Sequence, residues 1–358
     1  MSQGPFFSIV VPACNVGAYI GECLRSLQAQ THPEFEALIV CEESQDGTRD
    51  IINAMISGDA RFQLIDQPRT GSASASRNYG IRNAQGCYLL FVDGDDWIEP
   101  DSLAHFRQAL AASGEVDILL ADARYYLDRG DGPQLLREWH HQVPLQQVLT
   151  GPEMLAKQLQ GEFGTATWRR IYRREFLQSQ QLYQVIGRRH QDDEWAYRVF
   201  LAAARTWAID FCYYNYRKRP DSVTTTANLE TFRDYTDNLI SFFRYWRENR
   251  NHIPVPVQPL LASWFIGQMF RFFIPHFCRL YQRSFRYQEF ARMMQDEAGG
   301  YQVYRELAKM ASRRSLRVLR PVLALARRRR LFPLAEFLYG RLWWYLIMAR
   351  KRLRAPRQ

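Results

Sequence analysis

The apolar, β-favouring run Tyr88-Leu89-Leu90-Phe91-Val92 ends at once in Asp93-Gly94-Asp95-Asp96-Trp97, and this junction constrains the fold more than any other stretch. A buried strand cannot carry Asp93, Asp95 and Asp96 in its interior, because unpaired buried charge costs several kcal/mol. The acids must therefore sit where the strand emerges. In an open α/β sheet that carboxyl edge is where ligands bind. Carboxylates at that density suit a hard divalent cation, Mg2+ or Mn2+, that also holds phosphates. An acidic surface turn would show the same pattern, since Asp and Gly are common turn residues.

The surrounding sequence sets the architecture. Phe6–Val11 is a short β-rich run stopped by Pro12, and Tyr19–Gln28 places Ile20, Cys23, Leu24 and Leu27 at helical spacing. Phe35–Cys41 is a second strand, with Glu42 just past its end. Thr48–Ile56 reads as a helix with Asp46 or Thr48 as N-cap. Phe62–Ile65, Ser72–Asn83, Tyr88–Val92, Ser102–Ala112 and Val116–Ala121 continue the alternation of strand and helix. Such alternation predicts an α/β fold with a mainly parallel, Rossmann-like sheet covered on both faces. Residues 122 to 150 are polar and irregular, with a turn at Arg129–Pro133.

The charge is divided along the chain. The net charge of +10 combines −7 over residues 1–230 with +17 over residues 231–358, so attraction to anionic partners belongs to the C-terminal third. The six cysteines show neither a CxxC pair nor metal-ligand spacing, which predicts a reduced, cytoplasmic protein. No basic leader precedes Phe6, and neither Leu260–Cys278 nor Leu331–Ala349 is apolar enough to predict a membrane span.

Further patterns bear on chemistry. Glu42 is placed to accept from a base N–H or a ribose hydroxyl. Gly71–Ser76 is a run of small residues before Arg77, which fits either close ligand approach with an arginine for phosphate, or a tightly packed helix start. Gln191-Asp192-Asp193-Glu194 lies at the start of a helix, where acids are also favoured as caps.

Together these motifs resemble the donor-binding half of a family 2 glycosyltransferase of the GT-A fold, from residue 6 to about 110. Ser8–Asn15, which contains Pro12, resembles the first-strand signature, and Ser44–Thr48, which contains Asp46, the loop after strand two. Ser76-Arg77-Asn78 with Gly80 resembles the third helix, and Asp93–Trp97 the metal-binding DxD region. The chain departs from the family at Cys41-Glu42, where two aspartates are usual. Farther on, the basic Trp168–Leu177 segment before Gln191–Trp195 resembles the acceptor-side half, which makes Asp193 the implied general base with Asp192 and Glu194 beside it. Tyr216–Thr224 resembles a segment after the last strand of the catalytic domain, in which Arg217 or Arg219 is implied to reach a diphosphate, the alternative being that both are surface charges.

The resemblance implies a donor-binding half over 1–121, an acceptor-side half over 122–228, and a basic helical region over 229–358. It implies inverting transfer from a nucleotide sugar, UDP-linked by preference, to a glycan or lipid-linked acceptor in bacterial surface-polysaccharide assembly. Pro12, Glu42, Asp46, Arg77, Asp93, Asp95 and Arg217 are the expected donor contacts, and Asp93, Asp95 and Asp96 the expected Mn2+ or Mg2+ ligands. Arg327–Arg330, the cluster Leu342–Ile347 and the tail 350–357 suit the surface of an anionic membrane, or else a helical domain with solvated arginines. No nucleic-acid recognition motif accompanies them. A nucleotidyltransferase on the same sheet and a non-catalytic glycan- or nucleotide-binding scaffold are the alternative readings.

Overall fold

The computed structural model describes residues 4–219, together with 234, 237–238, 241–242, 245–246, 248–249, 251–261 and 264. The chain divides into two compact units, Met1–Thr226 and Ala227–Gln358. The first unit opens with β1 (Phe7–Ala13), α1 (Gly17–Gln28), β2 (Phe35–Glu42), α2 (Thr48–Ile56), β3 (Phe62–Gln67), α3 (Ala73–Asn83) and β4 (Tyr88–Phe91). It continues with β5 (Trp97–Ile98), α4 (Ser102–Ser113), β6 (Ile118–Asp128), β7 (Pro133–Trp139) and α5 (Gly151–Gln160). A short 3-10 turn at Thr167–Arg169 leads into β8 (Arg170–Arg173), α6 (Arg174–Ser179), α7 (Gln191–Ala202) and β9 (Thr206–Lys218).

All nine strands join one sheet in the order β3-β2-β1-β4-β8-β6-β9-β5, with β7 added to β6. The β3-β2-β1-β4 half is parallel. In the other half β8 runs antiparallel between β4 and β6, β6 and β9 are parallel, and β5 is antiparallel to β9. Strands β1 and β2 are buried along their whole length, as expected where helices cover both faces. The stripe Ile20, Cys23, Leu24 and Leu27 of α1 is fully buried in the core that contains Ile9, Val11, Ile39 and Leu90.

The small-residue run is explained by packing. Ser72 caps α3 by accepting from the Ser74 N–H at 3.3 Å, and Ser74, Ala75, Ser76 and Gly80 are buried. A Cβ at Gly80 would lie 2.2 Å from Val10 Cγ2 of β1. The helix therefore lies against the central strand with no room for a larger side chain.

Several boundaries differ from the sequence reading. Pro12 lies inside β1 rather than stopping it; its carbonyl accepts from the Gly94 N–H at 3.2 Å, so its missing donor falls on the flank where β4 has ended. Residues 122–139 are not irregular. They form the end of β6 and the whole of β7, a hairpin turning through Gly130 and Gly132 at φ +102° and +99°. That hairpin hides in the sequence because β7 is a surface strand, with Leu135 and Leu136 both more than half exposed, and so lacks apolar alternation. The N-cap of α2 is Gly47, although the Asp46 carboxylate does accept from the Thr48 N–H. Tyr216 and Arg217 lie within β9 rather than after it.

In the second unit, Phe242, Trp246, Ile253, Val257 and Leu261 are buried, and Phe242 meets Trp264 edge-on at 6.0 Å. Among the described residues no helix is long and apolar enough to cross a membrane. The Arg327–Arg330 cluster, Leu342–Ile347, the basic tail, most of Leu260–Cys278 and all of Leu331–Ala349 lie outside the described residues.

Because the Gly80 contact leaves no space, Gly80→Ala is expected to lower unfolding free energy by ~1–3 kcal/mol despite the better helix propensity of alanine. Chemical denaturation of the variant against the parent chain checks this.

Candidate active site

The parallel strands deliver their loops to one edge, and those loops are stitched together. After β1, the Asn15 N–H donates to Ser44 Oγ at 3.1 Å, and Asn15 Oδ1 accepts from the Gln45 N–H at 2.9 Å. The Val16 N–H donates to Thr48 Oγ1 and the Gly17 N–H to Asp46 Oδ2. Burial opposes the charge on Asp46, but hydrogen bonds from Thr48 and the Gly17 N–H outweigh it and lower its pKa. Asp46 thus fastens the loop after β2 to the loop after β1. Glu42, at the very end of β2, is buried and accepts from the hydroxyl and N–H of Thr70 and from the Gly71 N–H. Its carboxylate fixes the approach to α3.

Beyond β4 the chain turns sharply. The Asp96 N–H bonds back to the Asp93 carbonyl at 2.9 Å, and a Cβ at Gly94 would meet Pro12 O at 3.0 Å and Ile20 and Val16 at 3.2 Å. The three acids then take different partners. Asp93 Oδ1 accepts from Arg77 Nη2 at 2.5 Å, and the Arg77 side chain is almost wholly buried. Asp95 Oδ2 accepts from Arg219 Nε at 3.0 Å. Asp96 is buried, with Oδ2 accepting from the Tyr214 hydroxyl and Oδ1 from the Arg217 N–H, both at 2.7 Å. Tyr214 in turn accepts from the Asp93 N–H at 3.0 Å. Burial, reinforced by the neighbouring carboxylates, raises the pKa of Asp95 and raises that of Asp96 well above the ordinary value.

Arg217 spans this turn. Its Nε donates to the Asp95 carbonyl at 3.0 Å, and its guanidinium is ion-paired to Asp128 and Glu22. Trp97 and Tyr19 lie 4.8 and 5.1 Å from its guanidinium carbon. Arg217 is therefore already engaged inside the fold. Arg77 and Arg219 carry the direct ion pairs to Asp93 and Asp95.

The fit to a divalent cation is uneven across the trio. Asp93 Oδ2 and Asp95 Oδ1 take no hydrogen bond from the described residues, and both side chains are about a quarter exposed (25% and 23%). These two carboxylates can hold a hard cation. Both Asp96 oxygens are already occupied inside the fold, which makes it the anchor of the turn.

Asp193 comes from the opposite half of the unit, in the first turn of α7, and the charge of its neighbour Asp192 acts on Arg77, the partner of Asp93. Trp195, two residues on, packs edge-on against Phe91, the last residue of β4, at 6.2 Å, and donates Nε1–H to the Leu182 carbonyl at 2.8 Å. The segment before α7 is tied to α3, because Asn78 exchanges two 2.8 Å hydrogen bonds with the backbone of Gln184. Asp193 Oδ1 accepts a short hydrogen bond from Thr165 Oγ1. Arg170, fully buried, donates to the carbonyls of Gly164, Thr165 and Ala166 and so fixes the loop carrying that threonine. Desolvation, then the charge of Asp192, raises the Asp193 pKa to about 7. Glu194 is spent on Arg198, at 2.6 Å along the same helix.

The sequence reading did not single out Thr165 or Tyr214, and it held Arg170 only as one residue of the basic Trp168–Leu177 segment. Tyr214 precedes Tyr216 by two residues and shares its face of β9, so strand periodicity was a usable signal. Trp168, already singled out, stacks on Tyr214 at 4.3 Å and 9°. Thr165 sits in an irregular loop and had none.

Residues 8–180 match the family described as Glycosyl transferase family 2. The uncharacterized glycosyltransferase EpsJ of Bacillus subtilis (strain 168) is 33% identical over 225 residues, 62% of this chain and 63% of that protein. Glycosyltransferase GlyG of Streptococcus pneumoniae serotype 4 is 26% identical over 236 residues, 64% of this chain and 77% of GlyG. The chain spans less than two thirds of EpsJ, and 66% of glycosyltransferase EpsH from the same Bacillus. Among solved structures, S. aureus TarS 1–349 in complex with UDP-GlcNAc superposes with a TM-score of 0.70 at 20% identity, covering 94% of this chain and 91% of that one. The mannosyltransferase PcManGT from Pyrobaculum calidifontis, in complex with GDP-Man and Mn2+, gives 0.53 at 16% identity over 99% and 89%. At these identities the likeness to the two structures is one of fold. Residues 8–180 thus form a family 2 glycosyltransferase domain.

Proposed function

We propose that the chain transfers a sugar from a nucleotide-sugar donor, UDP-linked, to a hydroxyl of a glycan or lipid-linked acceptor, with inversion, in bacterial surface-polysaccharide assembly. The observation that carries this reading is a carboxylate with a pKa raised to about 7 on α7, the helix that packs on the last residue of β4 and whose Asp192 acts on the Arg77 paired to Asp93. TarS, the structural neighbour solved with UDP-GlcNAc, supports the choice of a UDP donor.

In-line displacement at an anomeric carbon needs a base for the acceptor proton and stabilisation of the departing diphosphate. Asp193 is the base. Thr165 holds Oδ1, which directs the other oxygen to the acceptor hydroxyl, and Arg170 keeps Thr165 in place. Arg77 and Arg219 orient Asp93 and Asp95. A bound Mn2+ or Mg2+ at those two acids would supply Lewis-acid neutralisation of the diphosphate. Asp46 and Glu42 shape the donor platform by fixing the loops after β1 and before α3. The +17 charge of residues 231–358 supports a place on the anionic inner face of the cell membrane.

Nucleotide release from UDP-, GDP- and dTDP-sugars, with Mn2+, Mg2+ or EDTA, tests the reading. Release from one donor, abolished by EDTA and by Asp95→Ala, and lowered ~10²- to 10⁴-fold by Asp193→Asn, is the expected result. Nucleotidyl transfer would survive Asp193→Asn, and a scaffold would bind nucleotide without turnover; either result overturns the proposal.

The base must be deprotonated to act, so the rate is expected to rise with pH through about 7 and then level. Thr165→Val removes a hydrogen bond that favours the carboxylate, and should move that midpoint upward.

The same group affects stability with the opposite trend. The folded pKa of about 7 lies above the unfolded value of ~3.9, so between these the native state holds more protons. Stability from this group is full below about pH 4, falls as pH rises toward 7, and stays low above. Asp193→Asn removes that loss, so the variant should melt higher than the parent chain above about pH 8, with a smaller difference near pH 4. Paired thermal melts across pH check it.

A further inference from the structure

A second group of ligating side chains gathers where β6, β9 and the residues after β7 meet. Asp122 of β6 and Cys212 of β9 are partners in register, and both are buried. The ladder is irregular here: β9 carries extra residues between Ala208 and Cys212, a bulge that contains Asp210. Bulges of this kind re-aim side chains. His140, directly after β7, comes in from the third side. Its Nδ1 lies 3.2 Å from Asp122 Oδ2, 3.3 Å from Asp210 Oδ1 and 4.0 Å from Cys212 Sγ. One ligand atom from each of Asp122, His140 and Cys212 lies within 4.8 Å of the other two. None of the three bonds to Asp93, Asp95, Asp96 or Asp193.

We propose that Asp122, His140 and Cys212 form a binding site for a borderline-soft divalent cation, zinc by preference, distinct from the carboxylates assigned to the donor. The first argument is the convergence on His140 Nδ1. The other ring nitrogen, Nε2, faces Glu138 Oε2 at 3.3 Å and can donate to it. Nδ1 faces two carboxylate oxygens and a sulfur, acceptors that call for positive charge among them, a proton on Nδ1 in the bare site and a metal in the loaded one. A metal there completes the carboxylate–histidine–metal relay that orients ligating imidazoles.

The second argument is how Asp122 is held. Its Oδ1 accepts from the His141 N–H at 2.8 Å and from the buried Arg169 at 3.4 Å, which leaves Oδ2 turned to the cluster. The third is dimension. Tetrahedral zinc with bonds of ~2.0–2.3 Å separates N and O ligands by ~3.3 Å and N and S ligands by ~3.6 Å. The observed 3.2 and 4.0 Å need only small side-chain adjustment. One nitrogen, one sulfur and one oxygen favour zinc over the Mg2+ or Mn2+ expected at an all-oxygen site. Asp210 or water is available as the fourth ligand. Bound metal would pin the end of β7 to the middle of β9, bracing the strand that carries Tyr214 and Arg217.

Cobalt titration of the full chain after EDTA treatment tests the site, because an all-oxygen site yields no thiolate-to-cobalt charge transfer. The expected result is a near-ultraviolet charge-transfer band that saturates at one cobalt per chain and is displaced by zinc but not by excess Mg2+. Cys212→Ser should abolish the band and His140→Ala should weaken binding, with folding verified by circular dichroism. Glu138→Gln, at a half-exposed position, should weaken cobalt binding ~10- to 100-fold without disturbing the fold. Absence of the band from the parent chain, or its persistence unchanged in Cys212→Ser or His140→Ala, would overturn the proposal and leave His140 as an imidazolium held by ion pairs.

Discussion

The first unit depends on holding three carboxylates within four residues at the end of one strand. Left alone, Asp93, Asp95 and Asp96 would repel one another and resist burial. The structure spreads their charge over separate partners: Arg77 from α3, Arg219 after β9, and for Asp96 the Tyr214 hydroxyl and the Arg217 N–H. Strand β9 supplies most of this from the far half of the sheet. The turn is therefore complete only when the parallel half and the mixed half have come together. Arg217, buried between Asp128, Glu22, Trp97 and Tyr19, closes that junction. Removing one partner of such a buried pair typically costs ~3–5 kcal/mol.

The carboxylates of the candidate site are in contrasting environments, and the contrast matches the roles proposed for them. Asp93 and Asp95 are balanced by guanidinium groups, each with one oxygen left over, as suits a cation or diphosphate site. Among the described residues Asp193 has no such ion pair: the Thr165 hydroxyl holds it, and desolvation dominates. Contrasting partners of this kind are how a fold assigns a base and an electrostatic clamp from the same residue type. The base is costly to the fold, because a carboxylate raised to about 7 opposes folding at neutral pH. Arg170 and the Phe91–Trp195 contact supply rigid packing around it.

Much of this was legible in the sequence where local rules decide. The alternation through β4, the buried stripe of α1 and the acids at the exit of β4 follow from periodicity and the cost of buried charge. Asp193 was singled out by resemblance alone, since acids in the first turn of α7 look the same whether they cap or catalyse. What escaped depends on partners far away in the chain. The hairpin of β6 and β7 is a surface feature without alternation, and Thr165 matters only because Arg170 ties down an irregular loop. Arg217, Glu42 and Asp46 were singled out as donor contacts. In the structure each is engaged by neighbouring loops, a distinction set by tertiary contacts that a motif does not encode.

Glu42 shows what that distinction means for specificity. A carboxylate at the end of β2 that bonded a nucleotide base would read the base directly. Here its oxygens are occupied by Thr70 and Gly71, so its influence on a donor passes through the loop that starts α3. The same helix carries Arg77 to Asp93 and Asn78 to Gln184, the backbone leading to α7. One rigid helix, packed so closely on β1 that only glycine fits at position 80, thus links the end of β2, the acids beyond β4 and the approach to Asp193. On the proposed reading the donor platform and the base are positioned by the same element, so a change that tilts α3 acts on both at once. Donor choice would then rest on how these loops are held as much as on the side chains that face the ligand.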